Sequence, residues 1–265
     1  MIEADLLSLS TLFLALAALA AGFVDAVAGG GGMIQVPALF AASPTSFPAT
    51  LLGTNKVASI GGTLIAAKKY IKSVNLPYKI VTPAILSSFV GALVGAWVVK
   101  GISIAVFKGF LPVILTALLI YTVTQRSIGQ AHAPKYMGRA QVAKALLLGG
   151  GIGFYDGVFG PGTGSFLLIG FIRIFGFDFL HASAATKLVN ATTNLAAILL
   201  FASFGHIYWG LGFAMMLMNM LGAYGGAHFA LKHGNQFVRK IFIWVVLALI
   251  VKTAYDAIAY GVLNK

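Results

Sequence analysis

The chain has 265 residues, of which 59% are hydrophobic and only 9% are charged, whereas a soluble domain carries about 25% charged residues. This composition excludes a water-soluble globular domain and predicts a single all-α membrane domain over residues 1–265. The net charge of +12 does not indicate nucleic-acid binding, because lysine and arginine lie in short connections between apolar runs. The lack of cysteine excludes disulfides, thiolate metal sites and cysteine nucleophiles.

Apolar runs predict about eight transmembrane helices, since about 20 residues cross the hydrocarbon core of a bilayer. The first run is preceded by Glu3 and Asp5, whereas a secretory signal opens with positive charge. We therefore expect this run to be retained as a span. The predicted helices lie at about 9–28, 51–70, 78–99, 104–124, 141–158, 186–204, 208–231 and 237–259.

Two further apolar segments, at about 33–42 and 165–176, are too short to span a bilayer. Each follows a glycine-rich break in the preceding helix. Irregular backbone at membrane depth is tolerated only where it is buried in protein or lines a cavity. We therefore predict two short, glycine-broken re-entrant segments.

An internal repeat organises the chain. A shift of 131 residues aligns 22–125 with 153–256 without a gap, so that GFVDAVAGGGG falls on GFYDGVFGPGT. Paired interruptions in two halves of a membrane protein point to a transporter's binding site. We predict repeat 1 at about 9–125 and repeat 2 at about 141–259, joined by a cytoplasmic linker at about 126–140.

The positive charges favour halves of opposite orientation. Eleven of the 18 lysine and arginine residues lie in the connections 68–79, 126–144 and 232–240. Cytoplasmic loops are enriched in these residues. Placing all three connections in the cytoplasm puts the N-terminus outside and inverts the second half, whereas parallel halves would move 232–240 outside and weaken the bias. The inverted arrangement also requires each re-entrant segment to return to the face from which its half starts.

The glycine breaks are the first candidate site motif. Glycine runs and Gly-Pro end a helix and leave backbone amides free, and a helix that restarts beyond them attracts anions. The alternative is close helix packing, to which we assign Gly91, Gly95, Gly222 and Gly226. No strand precedes either break and no Gly-Lys-Ser/Thr follows, so neither a Rossmann nor a P-loop site is predicted.

The second motif is Lys56 and Lys187, at equivalent repeat positions inside apolar runs. A lysine at membrane depth costs about 2.5–3.5 kcal/mol. A single lysine would be expected to snorkel to the interface, but two equivalent lysines with polar neighbours indicate function. Those neighbours are Thr54, Asn55, Ser59, Thr186, Asn190 and Asn194. The predicted substrate-binding residues are Lys56, Lys187, Gly29, Gly30, Gly31, Gly32, Asn55, Gly160, Gly162, Thr163, Gly164, Ser165, Thr186 and Asn190.

Asp25 and Asp156, four residues before each break, form the third motif. Each is either a counter-ion to the lysines, a group protonated during transport, or a hydrogen-bonding group at a helix end, and the sequence leaves these roles open. The histidines lack metal-ligand spacing, and no serine stands in a nucleophile pattern. We therefore predict no catalytic residue, no metal and no cofactor, and a small anion as the ligand of this site.

These motifs resemble those of the TauE/SafE sulfite exporter family, also called the 4-toluene sulfonate uptake permease family. The resemblance rests on GFVDAVAGGGGMIQVPAL with GTNKVAS, and on GFYDGVFGPGTGSF with ATKLVN. It implies an inner-membrane secondary transporter of about eight helices that moves sulfite or a small organosulfonate, with protons as the expected coupling ion. In that pattern the glycine breaks and the lysine-bearing helix starts are the site.

Two other functions remain open at this stage. One is an uncoupled anion channel with the same pore chemistry, or a carrier of another small anion such as a carboxylate. The other is a structural subunit of a membrane complex, against which the paired intramembrane charges argue, because a scaffold gains nothing from them.

Overall fold

The computed structural model describes residues 9–43, 45–102, 133, 138–234 and 244. Within these residues the chain forms eight helices and no strand. The helices predicted at 104–124 and 237–259, and most of the linker at 126–140, lie outside the described residues. The eight helices are α1 (Leu9–Ala28), α2 (Gly32–Ala42), α3 (Pro48–Ile71), α4 (Tyr78–Val99), α5 (Arg139–Val158), α6 (Thr163–Phe175), α7 (Phe179–Ser203) and α8 (209–234).

Two helices, α3 and α7, begin at least three residues earlier than predicted, for identifiable reasons. Pro48 occupies the first position of α3, where its fixed φ suits a helix and its missing N–H is not needed. At the start of α7 the Asp178 carboxylate accepts a hydrogen bond from the His181 backbone N–H at 2.8 Å, which caps the helix. The sequence predicts a connection over the polar stretch after this cap, but the stretch forms a helical face that packs inside the protein.

The described helices are those of a membrane protein. Three of them, α1, α4 and α7, are long and apolar enough to cross a bilayer, and α2 and α6 are short apolar helices. Large apolar side chains such as Leu12, Trp97 and Leu221 are exposed on the outside of the bundle. The helices α3, α5 and α8 also have 20 or more residues, but polar residues and glycines lower their hydropathy. The prediction of about eight spans is supported in part.

Helices of one half pack against helices of the other half. A Cβ added at Gly91 of α4 would collide with Gly150 O of α5, and one added at Gly222 of α8 would collide with Leu19 O of α1. These two contacts are related by the 131-residue shift, which also maps the starts of α2, α3 and α4 onto those of α6, α7 and α8. The predicted packing role of Gly91 and Gly222 is confirmed.

At the centre, α3 and α7 pack against each other. Apolar residues of both helices share the two buried clusters, as Ala66 and Ala184 do at one end and Val57 and Ala197 at the other. The polar faces of both helices lie between these clusters, beside the glycine breaks.

Candidate functional site

The two glycine breaks pack against each other inside the protein. Gly29 ends α1 with φ 75° and Gly160 ends α5 with φ 82°, a left-handed backbone that only glycine adopts readily. A Cβ at Gly29 would collide with the backbone of Gly164, and one at Gly32 would lie 3.3 Å from Pro161 Cα. The breaks therefore bring the starts of α2 and α6 together, and glycine is needed for this approach.

Two buried ion pairs cross between the halves beside these breaks. Lys56 Nζ lies 2.6 Å from Asp156 Oδ2, and Lys187 Nζ lies 2.7 Å from Asp25 Oδ2. Each pair joins a lysine of one repeat to the aspartate of the other. The two lysines are only 2% and 1% exposed, so the snorkelling alternative is wrong. The structure favours a counter-ion role for both carboxylates.

The two pairs differ in their surroundings. The Thr163 hydroxyl lies 2.6 Å from Asp156 Oδ1 and 2.8 Å from Gly160 O, whereas the position equivalent to Thr163 is a glycine. The Asp156 side chain is 5% exposed and that of Asp25 is 20% exposed. Lys187 compensates on its side by also donating to the backbone oxygen of Asp25. Asp156 is therefore the more enclosed carboxylate and Asp25 the more exposed one.

A small polar cavity of about 30 Å³ lies between the ion pairs. A water molecule needs roughly 10–15 Å³ of such volume, so this space has room for about two waters. Its walls come from both halves: Asp25, Gly29, Gly32, Asn55, Lys56, Ser59, Thr63, Asp156, Gly160, Thr163, Gly164, Asn190 and Asn194.

Ten of the sixteen residues predicted from sequence are in these walls. Lys187 lies behind Asp25 rather than on the cavity surface, and Ser165 Oγ donates to Ala28 O at 3.2 Å, bridging the halves. Gly162 has φ 84° at the start of α6, which is a backbone role. Also outside the walls are Gly30, Gly31 and Thr186.

Three wall residues are absent from the predicted set: Ser59, Thr63 and Asn194. In the sequence, Ser59 and Asn194 stand out only as polar neighbours of the lysines, and Thr63 does not stand out. Helical spacing could have found them, because positions three and seven after Lys56 lie on the same helix face. The repeat strengthens the signal, since the 131-residue shift places Thr63 on Asn194.

Several polar atoms at the site lack a hydrogen-bond partner among the described residues. They are Asn55 Oδ1, Asn190 Oδ1 and Thr186 Oγ1. A buried polar atom without a partner costs about 1–3 kcal/mol. The orientation of an asparagine amide is an assignment, so each amide can present either its oxygen or its NH₂ group to water or a ligand.

Broken helices, buried ion pairs and a polar cavity in a helical membrane protein are features typical of a membrane transporter. The family described as Sulfite exporter TauE/SafE matches residues 14–253. The chain belongs to this family.

Curated relatives agree with this class. YfcA of Escherichia coli strain K12, a probable membrane transporter protein, is 34% identical over 247 residues, covering 93% of this chain and 90% of that protein. ORF9 of Sinorhizobium sp, also a probable membrane transporter protein, is 36% identical over 244 residues, covering 92% of each. YunE of Bacillus subtilis, with the same description, is 24% identical over 271 residues, covering 94% of this chain and 99% of that protein. No solved structure matches.

Proposed function

We propose that the protein is a proton-coupled secondary transporter of a small sulfur-containing anion, sulfite or an organosulfonate, across the inner membrane. The observation that carries the proposal is the crossed pair of buried lysine–aspartate contacts at the glycine breaks. The family supports the transport of a sulfur-containing anion. Two linked steps make up the proposed mechanism, the binding of the anion and the uptake of a proton.

The substrate anion competes with the carboxylates for the lysines. Lys56 lines the cavity and holds Asp156 at 2.6 Å, so an anion that reaches Lys56 must replace or share that carboxylate. A sulfite or sulfonate group presents three oxygens, which suit an ammonium group and side-chain amide groups together, near the N-termini of two helices. A cavity of about 30 Å³ is too small for such an anion, so binding requires the two halves to separate at the breaks.

Charge balance links this binding to a proton. The site holds two lysines and two aspartates, which sum to zero when all four are ionised. One bound monoanion leaves an uncompensated negative charge in a low-dielectric site, which is costly. Protonation of one aspartate restores neutrality and releases its lysine to the anion. One proton would therefore accompany each monoanion, such as a sulfonate or hydrogen sulfite, and two protons would accompany each sulfite dianion.

Helix directions support inverted halves. At the start of α3, Thr50 Oγ1 lies 3.1 Å from His206 Nδ1, just before α8 begins. Near the end of α3, Lys69 Nζ donates to Tyr224 O, in the second half of α8, at 3.0 Å. α3 and α8 therefore run in the same direction. Because a short turn joins α7 to α8, α7 runs opposite to α3, its equivalent in the first half.

The return of α6 supports a re-entrant segment. The backbone N–H of Ala133, in the linker before α5, donates to Gly176 O at 2.9 Å, and Gly176 caps the end of α6. The chain thus leaves α6 at the end of the bundle where α5 begins. We therefore propose that the connections 68–79, 126–144 and 232–240 lie in the cytoplasm and the N-terminus outside, in accord with the charge bias.

Transport by purified protein in liposomes tests the proposal. Radiolabelled sulfite is offered with an imposed pH gradient, and sulfate, taurine and acetate are offered as competitors. We expect saturable uptake that exceeds the equilibrium level while the gradient lasts and collapses when a protonophore is added. Flux that never exceeds equilibrium would identify an uncoupled channel, and accumulation of acetate in preference to sulfite would identify a carboxylate carrier.

A matched pair of variants separates the site from general surface charge. Lys56→Met removes the lysine at the cavity, whereas Lys68→Met removes an exposed lysine of the same helix. We expect the first to abolish most uptake and the second to leave it unchanged.

A further inference from the structure

The two ion pairs at the glycine breaks are not equivalent, although the repeat relates them. The Thr163 hydroxyl lies 2.6 Å from Asp156 Oδ1, where it can donate to the carboxylate. The 131-residue shift places Gly32 at the corresponding position of the first half, and glycine has no side chain to offer Asp25. A hydroxyl that donates to a carboxylate favours its ionised form. The sequence thus provides this stabilisation to Asp156 and not to Asp25.

The two lysines also differ in the groups that hold them. Lys187 Nζ donates to the backbone oxygen of Asp25 as well as to Asp25 Oδ2, which lies 2.7 Å away. A backbone oxygen accepts a hydrogen bond whatever the charge of its side chain, so Lys187 keeps a partner when the Asp25 carboxylate is neutralised. Lys56 Nζ contacts Asp156 Oδ2 at 2.6 Å, and the residues that the structure describes give it no second acceptor. Neutralising Asp156 before an anion arrives would therefore leave a buried ammonium unpaired, which is costly.

Water reaches Asp25 more readily than Asp156. Both carboxylates line the polar cavity, but the Asp25 side chain is 20% exposed and that of Asp156 is 5% exposed. The cavity has room for about two waters, and a water can pass a proton to a carboxylate within hydrogen-bond reach. Lys187 lies behind Asp25 and not on the wall, so a proton from the cavity meets the carboxylate before it meets the ammonium.

The charged groups around Asp25 link its protonation to the arrival of an anion. The neighbouring α2 carries no titratable side chain, α6 carries Arg173 in its last turn, and α8 approaches α1 near Asp25 through Gly226. The groups that surround Asp25 are Lys187 of α7, Lys56 and Tyr70 of α3, and Asp156 of α5. The two ammonium groups favour the ionised carboxylate while the cavity holds no anion. An anion that enters adds a negative charge beside it, which favours protonation.

We propose that Asp25 takes up the proton that accompanies a monoanion, whereas Asp156, held by Thr163, stays ionised and positions Lys56. This assignment rests on the proton-coupled transport proposed above. Water in the cavity delivers the proton to the Asp25 oxygen that faces away from Lys187, and the backbone oxygen of Asp25 continues to hold that lysine. The charge of Lys187 then attracts the anion from behind Asp25, while Lys56 holds the anion beside Asp156. Two ammonium groups, one carboxylate and one monoanion sum to zero, and the proton returns to water when the anion leaves.

Carbon-13 NMR of the purified protein in detergent, labelled at the aspartate carboxyl carbons, tests this assignment. The chain has only five aspartates, so Asp25→Glu and Asp156→Glu, which each remove one signal and keep the charge, assign the two at the site. Spectra are recorded across the mildly acidic and neutral pH range, first without an anion and then with hydrogen sulfite. We expect the Asp25 signal to move to its protonated position on acidification, and at a less acidic pH with hydrogen sulfite. The Asp156 signal should stay at its ionised position throughout.

Two variants test the part that the hydroxyl plays. In Thr163→Val we expect Asp156 also to take up a proton over this pH range, while Asp25 behaves as in the parent. Thr163→Ser keeps the hydroxyl and should behave as the parent at both aspartates. An Asp156 signal that is the same in Thr163→Val and in the parent would overturn the role given to Thr163.

Three results in the parent would overturn the assignment of the proton to Asp25. They are protonation of Asp156 at a pH where Asp25 is still ionised, equal movement of both signals, and an Asp25 signal that does not move with hydrogen sulfite present. Failure of the parent to carry sulfite in liposomes would refute the proposed function instead. The spectra recorded without an anion would still show which of the two aspartates takes the proton.

Discussion

Removing Lys56 should destabilise the protein through the carboxylate that it leaves behind. In Lys56→Met, Asp156 keeps the Thr163 hydroxyl at 2.6 Å but loses the ammonium at 2.6 Å. Its side chain is 5% exposed, so only the few waters that fit the small cavity could reach it, and they do not replace a cationic partner. Breaking a buried ion pair by removing one member costs about 3–5 kcal/mol. For a chain of this size that corresponds to a melting temperature lower by about 6–20 °C.

The double variant Lys56→Met/Asp156→Asn makes this prediction specific. Replacing both members of a buried pair leaves no unpaired buried charge, and well-packed apolar replacements of similar volume are often neutral for stability. We therefore expect the double variant to recover most of the melting temperature while transport stays lost. The assay is thermal unfolding of purified protein in one detergent, for the parent, both single variants and the double variant. A single variant that melts within about 2 °C of the parent, or a double variant that melts no higher than Lys56→Met, would refute the reasoning.

The same geometry supports three further predictions. Lys187→Met should lower the melting temperature less than Lys56→Met does, because its partner Asp25 is 20% exposed and can be hydrated; an equal or larger loss, measured in the same unfolding assay, would contradict this. Gly29→Ala should abolish transport and destabilise the protein, because the added Cβ collides with the Gly164 backbone and because φ is 75° at this position. Gly151→Ala is the control: its Cβ meets nothing within 4 Å, so it should behave as the parent in uptake and unfolding. Thr163→Val should lower the free energy of unfolding by roughly 1.5–3 kcal/mol, the contribution of a hydrogen bond to a charged group, and Thr163→Ser should restore it. Unfolding curves in which the serine variant melts no higher than the valine variant would show that the hydroxyl is not the cause.

The residues of the site could largely be predicted from sequence, because rare residues recur at repeat positions. Lys56, Lys187, Asp25 and Asp156 are conspicuous in an apolar chain. Their pairing could not be predicted, since an ion pair between Lys56 and Asp156 depends on how the halves interleave. Sequence spacing favours neither Asp25 nor Asp156 as the partner of Lys56. Only the packing of α3 and α7 against the breaks of both halves decides between the two aspartates.

The start of α7 shows another limit of the sequence. The hydrophobic pattern that predicts membrane helices relies on apolar faces, but α7 buries Ser183, Thr186 and Asn190 inside the protein. A buried polar face resembles a connecting loop in the sequence, so the pattern predicts a start at about 186 although the helix begins at Phe179. The cap at Asp178 is visible in the sequence as a possible helix start, yet it carries little weight without an apolar run behind it.

Sulfite binding to the stabilised double variant tests the central claim most directly. The claim is that the lysines of the crossed ion pairs hold the anion, and a charge-assisted contact of this kind contributes about 1.5–3 kcal/mol. In a calorimetric titration, Lys56→Met/Asp156→Asn should therefore bind sulfite about 10- to 150-fold more weakly than the parent, while Lys68→Met binds it with unchanged affinity. Equal affinity in all three proteins, each shown to be folded, would contradict the account.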